Sequence, residues 1–230
     1  MARAEPGGAA MALDLPPLLE AVPCPRGGDL LGRAAEGASE GRYEAGAFVY
    51  RVTDRRIAFA LVLEPTVGRA EAAAMRLLAQ LAATEALAHE APPETEVRHD
   101  WRGTISINGA DAGEAVGVMG PGEPSDWLAV GATLRADARL EPGIDPGRTS
   151  LAEEFGPVDA TAILNAIGRQ LTLWLHRWEG EGFAPIARAW LSRQVEGGRA
   201  VSLDDEGNAL VRSDDGVRQL PLLGQWKQHA

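Results

Sequence analysis

The segment Asp100 to Gly113, DWRGTISINGADAG, gathers two acids, a tryptophan, an arginine, a threonine and an Asn-Gly turn into one short stretch. Arg102 within it, and Arg135 further on, could each grip a carboxylate through paired N–H donors if they faced a common pocket; the alternative is that both point to solvent. Cys24 is a candidate thiol nucleophile, but it sits in the turn Pro23-Cys24-Pro25 and no motif places a base beside it. His99 and Asp100 are adjacent, and neighbours on a strand point to opposite faces, so they are not expected to act as an acid–base pair. His89, His176 and His229 stand apart, and with no HxxH or CxxC spacing a metal site is not expected. The acidic stretches DDEG and SDDG read as solvated hairpin tips rather than calcium loops.

The elements that must position these groups follow from the apolar pattern. Residues 1 to 14 read as a tail, Leu15 to Val22 as the first ordered segment, and Leu30 to Glu36 as a short helix. Ala47 to Thr53 and Ile57 to Glu64 are rich in β-branched and aromatic residues around Asp54-Arg55-Arg56 and read as a hairpin, its second strand apolar enough to be covered on both faces. Ala70 to Ala88 reads as a packed helix. Glu96 to Asp100, Thr104 to Asn108, Glu114 to Met119 and Trp127 to Leu134 follow as strands. Ile163, Leu164, Ile167, Leu171, Trp174 and Trp178 recur at helical spacing behind Asp159, a capping residue, so Val158 to Trp178 is a helix, and Phe183 to Arg193 is a shorter one. After Val195 the pattern changes to brief strands joined by acidic turns.

The totals narrow the class. A chain of 230 residues fits one medium domain, residues 15 to 194, with a small appendage over residues 195 to 230. A net charge of −11 disfavours nucleic acid, and the longest apolar stretches are too short to span a bilayer. The first dozen residues lack the apolar core of a signal peptide, Met11 is a second candidate start, and the single cysteine agrees with a reducing cytoplasm. Of the 22 basic residues only one, Lys227, is a lysine.

The segment DWRGTISINGADAG resembles the signature of the biotin/lipoate protein ligase family, in which Trp-Pro-Asn-Asp-Ile precedes a strand, an Asn-Gly turn, a Lys and a Gly. Trp101, Ile105, Asn108 and Gly109 fall in register. WLAVGATL, Trp127 to Leu134, is similar to the family's Val-Gly-Ile-Gly-Ile-Asn strand, and RTSL, Arg148 to Leu151, to its Thr-Ser-Leu. The stretch ILNAIGRQLTLWLHRWEGEGFAPIARAWLSR and the residues after it resemble the closing helices and C-terminal barrel of a bacterial biotin ligase. The resemblance implies an α+β fold of the class II aminoacyl-tRNA synthetase/biotin synthetase type: a mixed, mainly antiparallel sheet with flanking helices and a small SH3-like β-barrel. It implies ATP and biotin or lipoate as ligands, a biotinyl or lipoyl carrier domain as partner, and a substrate pocket drawn from Trp101, Arg102, Thr104, Asn108, Gly113, Gly131, Thr133 and Arg135.

A family ligase joins a carboxylate to the α-phosphate of ATP, and a lysine must bridge these anions. Two residues past the Asn-Gly turn, that position is Asp111. The Gly/Arg-rich adenylate loop should lie between the first helix and the first long strand, where the chain has only GRYEAGAF, Gly41 to Phe48. Pro-Asn-Asp has become Arg102-Gly103-Thr104, and the Asn ending the later strand aligns with Arg135. Three readings stay open: a ligase-like protein without ATP-dependent ligation that retains a surface for a small carboxylic acid or carrier domain; an acyltransferase using a donor such as an acyl thioester, with Cys24 as nucleophile; and a non-enzymatic interaction protein.

Overall fold

The β-branched run pairs as expected: Ala47–Val52 (β2) and Arg56–Leu63 (β3) form an antiparallel hairpin whose turn is closed by mutual backbone hydrogen bonds between Thr53 and Arg56. The structure is a computed structural model and describes residues 11–25, 27–137, 147–195, 202–213 and 216–228. Most of the expected tail, residues 1–10, lies outside the described residues, as do His229 and the Asp214-Asp215 centre of SDDG.

Around the hairpin stand Glu20–Pro23 (β1), Val97–His99 (β4), Thr104–Ile107 (β5), Ala110–Met119 (β6) and Leu128–Arg135 (β7), in the order β1-β2-β3-β7-β6-β5-β4. The β1–β2 pair is parallel, and the strands from β2 to β4 in that order are antiparallel neighbours, so the sheet is mixed and mainly antiparallel. The strand expected from Glu114 begins at Ala110, because Ala110 and Asp111 pair back with Ile107 and Ser106 across the Asn108-Gly109 turn.

Helices cover the sheet unequally. On one face lie Met75–Glu90 (α3), Ala160–Glu181 (α5) and Ala184–Ser192 (α6), packed on Phe48, Phe59, Ile105, Val130 and Leu134. Among the described residues the other face receives Leu30–Ser39 (α1), which buries Leu30, Leu31, Ala34 and Ala35 against Val49, Ala60, Val62, Val118 and Ala129. β3 is therefore buried on both sides. Asp159 caps α5 by accepting from the backbone N–H groups of Thr161 and Ala162. The single helix expected over Ala70 to Ala88 is divided into Arg69–Ala72 (α2) and α3. The backbone N–H groups of Ala74 and Arg76 donate three residues back, to Glu71 and Ala73, a tightened turn of 3₁₀ type that re-aims the chain.

Leu151–Phe155 (α4) follows β7 and begins with a capping box formed by Ser150 and Glu153. Where a small barrel is expected at the C-terminus, the described residues form a three-stranded antiparallel sheet of Ser202–Leu203 (β8), Ala209–Ser213 (β9) and Gly216–Leu220 (β10). Asp204 organises its first turn by accepting from the backbone N–H groups of Glu206 and Asn208 and from the side chains of Asn208 and Gln219. The chain then returns: Ala209, Leu222 and Trp226 join the main core, and Lys227–Gln228 (β11) pairs parallel with β6.

α3 carries a buried polar stripe in an otherwise Ala/Leu-rich helix: Arg76, Gln80 and Thr84, each four residues apart and thus on one face. Gln80 donates to the carbonyls of Asp100 and Thr104 and accepts from the Trp190 indole. Arg76 donates to the Trp101 carbonyl, and its burial lowers its pKa to about 10 against the opposing fields of Asp100 and Glu114. Thr84 meets His99 Nδ1 at 3.0 Å, and His99 Nε2 lies 2.8 Å from the Trp190 carbonyl. A carbonyl only accepts, so Nε2 carries the proton of the neutral ring. Nδ1 is then an acceptor facing the Thr84 hydroxyl, whose single proton it shares with the Gln80 carbonyl 2.8 Å from the same oxygen.

Burial pushes the His99 pKa down to about 4; the bond to Trp190 opposes this, and Arg193 and Arg98 reinforce it. An unfolded chain would protonate this ring near its ordinary value of 6.5. Between these values the unfolded state binds more protons, so stability falls as the solution is acidified from about pH 6.5 to about pH 4, by about 3 kcal/mol for this group. Urea denaturation across that window should show the loss, and a His99→Gln variant should lack that component of the slope. An equal slope in both proteins would refute the assignment.

Candidate functional site

Because α1 covers only part of its face, no helix among the described residues covers the strands beyond it there. A groove of about 530 Å³ lies on them, lined by Glu96, Arg98, Asp100, Thr104, Ser106, Gly109, Asp111 and Val195. Strand alternation sets the lining: Ile105 and Ile107 point into the helix-covered core, so Thr104 and Ser106 face the groove. Register then builds two rows. Arg98, Ser106 and Asp111 are cross-strand partners in one, and Thr104, Glu114, Thr133 and Ala58 in the next.

Strict alternation would put Asp111 and Glu114 on opposite faces. A register shift between Ile105 and Ser106 inserts an extra residue in β6, so that Asp111 pairs with Ser106 while Glu114 pairs with Thr104. Both carboxylates thus stand on the groove side.

The groove is acidic. Glu96, Asp100 and Asp111 line it against one guanidinium, Arg98, which is held by Glu96 at 2.9 Å and by the Ser192 carbonyl at 3.0 Å. Asp100 Oδ1 accepts from the backbone N–H groups of Arg102 and Thr104, each at 2.9 Å, which fixes the turn between β4 and β5. Gly103 in that turn has a φ of +104°, and a Cβ there would lie 2.4 Å from the Ala115 carbonyl oxygen. The Asp111 carboxylate is exposed, while its backbone is tied down by hydrogen bonds to Gly147, Thr149 and Arg135.

The expected pocket residues divide. Thr104 lines the groove and Thr133 stands one row along on the same face. Trp101 faces the opposite way, 4% exposed in the core, edge-on to Trp190 and beneath Arg76. Gly113 pairs with Ile105 and Leu134, both core residues, and so also belongs to the helix side. Gly131 lies where β7 passes β3 so closely that a Cβ would come within 1.9 Å of the Phe59 carbonyl oxygen. Asn108 is committed to the hairpin tip, with φ +49°, accepting from the Glu96 N–H and donating to Glu154. Arg135 donates to the carbonyls of Thr149 and Asp111, and Arg102 is exposed on its turn. The two arginines therefore do not converge on a common pocket. Ser106, Arg98 and Glu114 were not singled out by sequence; their places on the sheet depend on pairing partners that local periodicity does not encode.

The fold and the groove can be set beside known proteins. A model of the biotin/lipoate A/B protein ligase family matches residues 15–192. The chain belongs to that family. It is 27% identical over 184 residues to the biotin–[acetyl-CoA-carboxylase] ligase of Paracoccus denitrificans, covering 70% of this chain and 75% of that protein. A solved protein of Silicibacter sp. TM1040, described as biotin protein ligase-like and of unknown function, superposes with a TM-score of 0.84 at 29% identity, over 94% of this chain and all of that one. A biotin-bound variant of the Aquifex aeolicus biotin protein ligase shares the fold, with a TM-score of 0.69 at 17% identity over 89% of this chain and 96% of its own. Among the described residues no cluster of His, Cys, Asp and Glu is arranged to hold a metal ion, and no helix is long and apolar enough to cross a membrane.

Proposed function

We propose that this family member does not form an acyl-adenylate from ATP and uses the uncovered half of its sheet as a binding surface. The observation that carries the reading is Asp111. At the position where the family signature has its lysine, this chain presents an exposed carboxylate into a groove that already holds Glu96 and Asp100. A carboxylate substrate and the ATP phosphates are anions; an acid at 4 Å repels either by about 1 kcal/mol in water and by more where water is excluded. The sign of the field is wrong for the reaction.

The connections around β2 support the same reading. Between α1 and β2 the chain folds back on itself, with the backbone N–H groups of Arg42 and Tyr43 donating to the Gly37 carbonyl and the Tyr43 ring lying against Gly37. The β2–β3 connection is the tight Thr53–Arg56 turn. Neither carries the Gly/Arg-rich composition of the family's adenylate loop, since the α1–β2 connection holds one arginine and two glycines.

The acyltransferase alternative requires Cys24 beside the groove. Cys24 follows β1, and β5 is five places away in the sheet order, roughly 24 Å at the usual strand spacing. Nucleophilic attack requires near contact. The direct assay is formation of acyl-adenylate from ATP with biotin, lipoate or octanoate, and none is expected.

A further inference from the structure

An acidic groove with an unused buried hydroxyl selects a ligand of the opposite charge. The Ser106 Oγ is enclosed, on a residue only 5% exposed that lines the groove, and it has no hydrogen-bond partner. A buried hydroxyl left unpaired is costly, so its natural partner is a group that enters the groove. Its strand neighbour in the same row is Asp111, whose carboxylate has no hydrogen-bond donor among the described residues. Asp100 keeps its second oxygen available, since both donors to it reach Oδ1. Arg98 is already held by Glu96 and Ser192, and Arg135 and Arg148 lie outside the lining.

We propose that the groove binds the ammonium group of a small organic amine, with Asp111 as counter-ion and its cross-strand partner Ser106 supplying Oγ as a neutral acceptor, while Glu96 and Asp100 on the same lining add to the attracting field. The inference deepens the reading of the site given above and rests on it. An ammonium offers three donors and no acceptor, and Asp111 and Ser106, paired across β5 and β6, offer oxygen atoms to one concavity. The volume, about 530 Å³, falls within the range of small-molecule sites. No metal is invoked, because among the described residues no cluster of acids converges to ligate one.

The test is calorimetric titration of the full chain with 1,4-diaminobutane, with Nα-acetyl-lysine amide to represent a lysine side chain, and with glutarate as an anion of similar length. Near physiological salt, saturable 1:1 binding of at least one amine and no binding of glutarate are expected. Asp111→Asn should weaken amine binding at least tenfold. Ser106→Ala should weaken it severalfold while leaving the Tm unchanged or higher, an outcome a purely structural serine would not give. Asp54→Asn, on the β2–β3 turn away from the groove, removes the same charge and should change nothing. Equal weakening by Asp54→Asn and Asp111→Asn would show diffuse attraction to an acidic chain and overturn the proposal, as would amine affinity unchanged in Asp111→Asn, saturable glutarate binding, or the absence of binding by both amines. Relative affinity for the diamine and the lysine amide distinguishes a free amine from a lysine side chain. Failure to bind amines without adenylate formation would remove this inference alone; adenylate formation would remove the reading beneath it.

Discussion

Trp190→Ala is expected to destabilise the protein by about 3–5 kcal/mol, the cost of removing a large aromatic side chain from a packed core. Trp190 is fully buried, stacks on His99 with ring centroids 4.7 Å apart and meets Trp101 edge-on at 6.2 Å. Its indole N–H donates to Gln80, whose amide in turn holds the carbonyls of Asp100 and Thr104. Truncation therefore opens a cavity and removes the donor that orients the side chain fixing the groove wall. Folded domains are stable by only about 5–15 kcal/mol, so a large part of the total is at stake. Urea denaturation measures it. A Trp190→Phe variant should lose less, about 1–3 kcal/mol, since it keeps an aromatic ring and leaves Gln80 Oε1 unpaired. A cost below about 1 kcal/mol for Trp190→Ala would contradict the close packing of Trp190 against His99 and Trp101.

Gly131→Ala is the second large effect. The added Cβ would lie 1.9 Å from the Phe59 carbonyl oxygen and 2.8 Å from the Ala60 Cα, so the obstacle is backbone in the neighbouring strand and cannot swing aside. Over-packing costs about 1–3 kcal/mol where side chains can adjust, and here the expected loss is at least the upper end of that range. The same denaturation experiment checks it. Gly131 answers to strand packing, although the resemblance placed it among the pocket residues. A neutral Gly131→Ala substitution would return it to that list.

The fold was legible wherever one element buries one face at a regular period. The α5 stripe from Ile163 to Trp174 and its Asp159 cap are of this kind, as is the apolar run of β3 between two covers. Less legible were features set by partners distant in sequence. Arg76, Gln80 and Thr84 do form an i, i+4, i+8 pattern, but their meaning depends on the carbonyls of the β4–β5 turn and on His99. The bulge opposite Ile105 and Ser106, which brings Asp111 and Glu114 to one face, depends on register rather than on composition. Trp101 reads as a binding-site residue by motif, yet the side chains of Trp190 and Arg76 enclose it in the core. The loss of the lysine was plain in the sequence because only Lys227 carries that side chain. What replaces it, an acidic groove with an unpaired serine hydroxyl, required the sheet.

The most direct measurement is single-turnover incubation of the full chain at high concentration with ATP, Mg²⁺ and each of biotin, lipoate and octanoate, with the quenched mixture searched by mass spectrometry for the acyl-adenylate. A competent biotin ligase run in parallel supplies the positive signal. The acidic groove around Asp111, in a chain with no lysine before Lys227, predicts no acyl-adenylate above the enzyme-free control for any of the three acids. Stoichiometric acyl-adenylate from any of them would contradict the account.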